Sequence, residues 1–242
     1  MYFENFFLIT SIFLVLYFLL NKFSFLKDNI TISNHKKIGS QNKSPIMLGG
    51  LFILIIIIFF LKDIDTDTKI LFSLITLLGI LSDKDILPNP KIRLIFQSSI
   101  ILILISLEKL NINDLKIDLI NNFLSYQIFN IFFTTFCLAV LLNGSNFIDG
   151  LNGLLVGYYI IIIYSILSIS QSHTEINILN IEHLEVLIFS LMILFIFNFF
   201  GKVYLGDSGS YLISILVGTY LIKFYSINPN LSPFYIALIL WY

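Results

Sequence analysis

Eight apolar runs set the terms for this chain. They cover 3–20, 47–61, 70–81, 94–107, 128–142, 154–169, 186–199 and 211–224, and part of a further run starts near Pro233. A helix that crosses the hydrocarbon of a bilayer needs about 20 mostly apolar residues. Several runs are shorter, so those crossings must tilt or borrow polar flanks. Stretches such as 53–60 do not alternate apolar and polar residues, as the strands of a membrane barrel would. The sequence therefore predicts an all-α integral membrane protein, a polytopic helical bundle of about nine transmembrane helices, with 1–242 forming a single polytopic domain.

Composition narrows the function classes. Hydrophobic residues make up 57% and charged residues 12% of the 242, where a soluble domain carries about 25% charged. Mean hydropathy is +0.94. A soluble enzyme, a disulfide-built secreted scaffold and a disordered chain are excluded. A net charge of -1 gives no basic field for nucleic acid. The one cysteine, Cys137, allows no internal disulfide and no cysteine metal cluster. The first run has Glu4, no basic residue ahead of it and no small-residue cleavage site after it. It reads as an anchored helix rather than a signal peptide. The last run ends at Tyr242 without a polar cap, so a C-terminally truncated chain is expected.

Orientation follows from lysine and arginine in alternate loops. Lys22, Lys27, Lys36, Lys37, Lys43, Lys84, Lys91, Arg93 and Lys202 follow odd-numbered runs, against Lys62, Lys69, Lys109, Lys116 and Lys223 on the other side. The excess predicts odd loops in the cytoplasm and the N-terminus outside.

Four polar segments, 36–50, 82–93, 143–153 and 198–210, follow runs one, three, five and seven. Helix parity puts all four on one face. The even loops, such as 111–127 and 170–185, lack glycine and any compact motif. In Asn143-Gly-Ser-Asn146-Phe-Ile-Asp149-Gly-Leu-Asn152-Gly153, the residues Asn143, Asn146 and Asp149 recur every three positions. One helical turn would stack them on one face, and the helix that follows offers amides as an anion site. The alternative is a capped interhelical turn. In Lys202-Val-Tyr204-Leu-Gly206-Asp207-Ser-Gly209-Ser210, a glycine-flanked Asp207 at a helix start suits a hard divalent cation that also touches phosphate. Lys202 can meet phosphate as a point charge. The alternative for Asp207 and Ser208 is an N-cap. Ser82-Asp83-Lys84-Asp85 leads to Pro90-Lys91-Ile-Arg93, which holds the only arginine, a residue suited to a forked phosphate contact. Lys36-Lys37 through Lys43 to Gly49-Gly50 reads as a basic anchor or a phosphate loop. Together these segments suit a Mg²⁺-bound nucleotide or pyrophosphate beside a lipid.

Segments 143–153 and 202–210 resemble those of the polyprenyl-phosphate N-acetylhexosamine-1-phosphate transferases, whose patterns run N-x-x-N-x-x-D-G-x-D-G and K-x-F-x-G-D-x-G-S. The match at 82–93 is partial and that at 45–50 supportive. The resemblance implies transfer of a UDP-linked N-acetylamino-sugar 1-phosphate to polyprenyl (undecaprenyl) phosphate. The products would be polyprenyl-diphosphate-sugar and UMP, at the initiating step of cell-envelope polysaccharide synthesis. It implies Mg²⁺, with Mn²⁺ as a substitute, and an active site on the cytoplasmic face of the plasma (inner) membrane. UDP-GlcNAc is the default donor, and a homodimer is left open.

By position, Asp207 resembles the metal-binding aspartate, and Asp83, Asp149 and Asp207 take the catalytic roles. Substrate contacts fall on Asn143, Asn146, Asn152, Tyr204, Lys43, Lys91 and Lys202, with Tyr204 where the family has a phenylalanine that stacks on uracil. Two departures stand out. Ser82 occupies the place of the first of two paired aspartates, and Asn152 that of the second aspartate of D-G-x-D. The family's late His-rich loop lies beyond the last residue. The rival classes are a polytopic transporter and an inactive lipid-binding homologue. No inverted repeat supports the first.

Overall fold

The computed structural model describes residues 2–23, 26, 45–172, 180–228 and 230–234. Among the described residues nine helices and two short strands follow in the order α1 (Tyr2–Phe23), β1 (Ile46–Met47), α2 (Gly49–Phe60), α3 (Thr66–Asp83), α4 (Pro90–Glu108), α5 (Asp118–Leu124), α6 (Gln127–Ile148), α7 (Leu154–Ser172), α8 (Ile181–Phe199), β2 (Val203–Tyr204) and α9 (Gly206–Ile227). Seven of the eight apolar runs fall within a helix, and the run 47–61 overruns α2 at both ends, with Met47 in β1. The short α5 lies in a segment without an apolar run and was not anticipated. The run that starts near Pro233 lies almost wholly outside the described residues, as do Lys36, Lys37 and Lys43.

Among the described residues five helices are long and apolar enough to cross a membrane: Asn5–Phe23, Pro90–Glu108, Gln127–Ile148, Ile181–Phe199 and Gly206–Ile227. α2 and the apolar stretch Leu154–Ser170 are shorter, and α3 carries Asp67, Lys69 and Asp83. Large apolar side chains such as Phe7, Phe18, Phe59, Ile95, Ile128 and Phe132 face outward. An apolar exterior of this kind is unstable in water and natural in lipid.

The helices are arranged around α9, which packs against α2, α3, α6 and α7. Its buried residues include Ser208, Gly209, Ser210, Ser214, Gly218 and Thr219. Small residues let helix backbones approach closely where no hydrophobic effect drives them together. The approach is closest at α3. A Cβ on Gly79 would stand 2.2 Å from Cα of Ser208, so only glycine fits there. Buried hydroxyls in the bundle bond back to their own helix, as Thr76 does to Phe72 O and Ser190 to Val186 O, each four residues away. At one end of the bundle β1 pairs in parallel with β2, Ile46 opposite Val203 and Met47 opposite Tyr204. The pairing ties the entry of α2 to the entry of α9.

Gly79→Ala is therefore expected to force α3 and α9 apart, at a cost of about 1–3 kcal/mol. Thermal unfolding of the detergent-solubilised protein measures it. An unchanged midpoint would mean that the two helices do not pack this closely.

Candidate functional site

The helices do not stop where their apolar runs stop. α3 continues past Leu81 to Asp83, α6 past Leu142 to Ile148, and α9 begins at Gly206, ahead of its run. These extensions carry the polar segments into one rim at a single end of the bundle.

Asp83 is the first tie. Its Oδ1 accepts from Asp207 N at 2.7 Å and its Oδ2 from Ser208 N at 3.2 Å. The first amides of α9 have no carbonyl of their own helix to bond, so a carboxylate of α3 caps α9 from across the bundle. The chain enters α9 through Gly206 at φ +70. A Cβ there would stand 2.8 Å from Asp83 Oδ2. Asp83 lies beyond the apolar stretch of α3. Burial, and then the neighbouring charge of Asp207, push its carboxyl up to about 6, against the pull of the two amide bonds.

Asp207 projects from the first turn of α9. Its Oδ2 accepts from Ser82 Oγ at 2.5 Å, from Arg93 Nη1 at 3.0 Å and from Tyr211 OH at 3.2 Å. None of these bonds uses Oδ1. Arg93 Nη1 also donates to Ser82 Oγ, so the serine hydroxyl bridges guanidinium and carboxylate. The side chains of Arg93 and Asp207 are 25% and 24% exposed, so ligands can reach both. Arg93 reaches this point because α4 starts where it does. Asn89 Oδ1 accepts from Lys91 N at 3.0 Å, and Pro90 opens the helix.

α6 contributes the amides. Asn146 Oδ1 accepts from Ser210 Oγ at 2.9 Å, which joins α6 to α9. Asn143 Nδ2 donates to Gln97 Oε1 at 3.2 Å and to Ala139 O at 2.8 Å, which joins α6 to α4. Gln97 is 1% exposed, and among the described residues its Nε2 has no partner. Asp149 stands at the C-cap of α6 and is half-buried.

The remaining expected residues are spread wider. Lys91 is exposed on the first turn of α4. Asn152 is exposed beside Gly201, where a Cβ would stand 3.3 Å from its Nδ2. Tyr204 is half-buried in β2. The Lys202 ammonium lies 5.9 Å over the ring of Phe197, a cation–π contact. The anion site expected at the start of α7 is partly consumed: Gly153 N donates to Asn198 Oδ1 at 2.6 Å and Leu154 N to Leu151 O. Gln97, Asn198, Ser210 and Tyr211 complete the rim without having been selected as site residues, and Arg93, read from the sequence as a forked phosphate contact, joins them. The signal for Gln97 and Asn198 was present, since each is an amide inside an apolar run.

Beside the rim, a groove of about 750 Å³ runs between α4 and α6. Lys91 and Asn143 line its rim end, and Leu94, Val140, Leu102 and Phe132 line it further along. From Lys91 to Leu102 it follows α4 for about 17 Å at 1.5 Å per residue. At the opposite end of the bundle lies a cavity of about 420 Å³, whose lining includes Asp63, Glu108, His183, Tyr220 and Lys223. There Lys223 Nζ pairs with Glu108 at 2.8 Å.

Among the described residues, no group of three or more His, Cys, Asp or Glu could hold a metal alone. Magnesium asks for less, namely one or two carboxylates with substrate phosphates and water. Asp207 fits, since Oδ1 lies outside its hydrogen bonds. Asp83, with both oxygens on amides, holds α9 in place instead.

A family model described as glycosyl transferase family 4 matches residues 67–225, a span that takes in every contact of the rim from Ser82 to Tyr211. No curated protein matches the chain.

Asp83→Ala should leave two amides of α9 without an acceptor and cost about 1–3 kcal/mol, read as a lower unfolding midpoint. Asp83→Asn keeps one acceptor oxygen and should lose less. Equal midpoints for all three proteins would contradict the cap.

Proposed function

The chain belongs to glycosyl transferase family 4, and from that premise we propose that it transfers the sugar 1-phosphate of a UDP-N-acetylamino sugar to polyprenyl phosphate. One observation carries the reading. An apolar groove between α4 and α6 has Lys91 and Asn143 at its rim end, and Arg93, paired with Asp207, projects from the same first turn of α4 as Lys91. A charged headgroup and an isoprenoid tail need such a junction.

In the reaction, an oxygen of the lipid phosphate attacks the β-phosphorus of the UDP-sugar. A new P–O bond forms, the bond from that phosphorus to UMP breaks, and UMP leaves with the bridging oxygen and its electron pair. A phosphate monoester has its second pKa at about 6, so the nucleophile is largely ionised near neutrality. Ser82 therefore need not act as a base. Its hydroxyl holds Arg93 and Asp207 in register. Asn143 and Lys91 receive the lipid phosphate at the mouth of the groove. Asn146, fixed by Ser210, and Asp149 face the nucleotide, with Tyr204 against uracil and Lys202 and Asn152 around it; Lys43 keeps its role as a phosphate partner on the sequence alone. Mg²⁺, or Mn²⁺, held by Asp207 with the diphosphate would neutralise the charge that develops on UMP. Fixed charges and alignment supply most of the rate. The rim faces the cytoplasm, where UDP-sugars are made, and UDP-GlcNAc is the first donor to try.

Radiolabelled UDP-GlcNAc incubated with polyprenyl phosphate tests this directly. A lipid-soluble labelled product and released UMP are expected. Label taken up into sealed vesicles unchanged would favour transport. Asp207→Asn should lower UMP release by about 100-fold or more, and near-normal turnover would remove Asp207 from the metal role.

Val140→Trp, which fills the groove, should raise KM for polyprenyl phosphate and leave KM for the UDP-sugar unchanged. Equal effects on both would place the lipid elsewhere.

A further inference from the structure

We propose that Arg93 holds the place of the divalent cation on Asp207 in the free protein and moves onto a substrate phosphate when the cation arrives. The inference rests on the reading of Asp207 as the cation ligand. It adds a ligand for phosphate and a coupling between cation and nucleotide.

Four features of the rim lead to it. The guanidinium reaches Asp207 through Nη1 alone, so the rest of its fork lies outside that pair. Arginine is suited to bidentate phosphate contact. Second, the carboxylate and guanidinium are both about a quarter exposed, which leaves an approach for an anion as well as a cation. Third, Asp207 is the only acid with which Arg93 pairs among the described residues. Its other partner, Ser82 Oγ, is uncharged. Asp83 offers no alternative, because its oxygens are bound to the amides of 207 and 208. Fourth, a divalent cation on Asp207 would stand close to a guanidinium 3.0 Å from the same carboxylate. Like charges so placed repel.

The consequence is a linked exchange. With no ligand, Arg93 neutralises Asp207 and weakens it as a cation site. When the cation takes Asp207, Arg93 is left with a neutral hydroxyl and needs a new anion. The diphosphate of the nucleotide sugar or the lipid phosphate supplies one. Each ligand thus favours the other, by the same factor in both directions. The Ser82 hydroxyl acts as the pivot, since it keeps the guanidinium at the rim in both arrangements.

The test is a titration of the full chain in detergent with Mn²⁺, followed by electron paramagnetic resonance, without and with UDP. A separate titration measures UDP alone. In the wild type, Mn²⁺ alone binds weakly and UDP tightens it by about tenfold. Arg93→Gln should bind Mn²⁺ alone about fivefold tighter, or more, and UDP alone more weakly by a similar factor. Arg93→Lys keeps the charge and loses the fork. It should bind Mn²⁺ alone like the wild type and UDP more weakly, and it serves as the readout should the glutamine variant not fold. Mn²⁺ affinity that is unchanged or weaker in Arg93→Gln overturns the inference and leaves the transferase reading standing. Unchanged UDP affinity in Arg93→Lys overturns it as well. Absence of Mn²⁺ binding even with UDP would remove the cation role of Asp207, and this inference with it.

Discussion

The carboxylate of Asp83 on the first amides of α9 is the contact from which the rim is built. α9 is the most enclosed helix of the five able to cross a membrane among the described residues, and its N-terminus lies at the polar rim. Helix amides left bare at such a place are costly. A carboxylate at the end of α3 removes that cost and sets the height of α9 against α3. Gly79 then allows the two backbones to touch at Ser208. Once α9 is fixed, Asp207, Ser210 and Tyr211 have no freedom in where they appear, since they share its first turns.

Charge at the rim is arranged in separate layers. Asp83 is committed to the backbone and faces inward. Asp207 is committed to side chains through one oxygen only. The serine at position 82 changes the balance of this second layer. A carboxylate there would compete with Asp207 for Arg93, whereas a hydroxyl both accepts from the arginine and donates to the aspartate. One buried amide, Nε2 of Gln97, remains without a partner among the described residues just below this layer. It is the one place in the α4–α6 seam where the polar network is open.

Much of this could be read in advance from particular residues. Runs such as 128–142 and 211–224 marked α6 and α9. The spacing of Asn143 and Asn146 placed both on one helix, and counting helices placed the polar segments 82–93, 143–153 and 198–210 at one end. The ends of the helices could not be read this way. Asp83 looks like a loop residue, because aspartate favours turns. It ends α3 with its carboxylate on the amides of 207 and 208 on another helix, which no local pattern records. The motif around Lys202 suggested a phosphate contact but did not record that its ammonium sits over Phe197, a ring packed against Phe13 and Tyr17 of α1.

The amino-acid order alone determined that this chain is a bundle of apolar helices and that its chemistry gathers at one end. Both follow from short-range facts: the length of each apolar stretch and the parity of its crossings. Tertiary structure alone decided which acid caps a helix and which bonds to side chains through one oxygen. It likewise settled that the single arginine leans on Asp207, and that the seam between α4 and α6 stays open. Those outcomes depend on contacts between residues as far apart as 83 and 207, brought together only when α9 settles against α3.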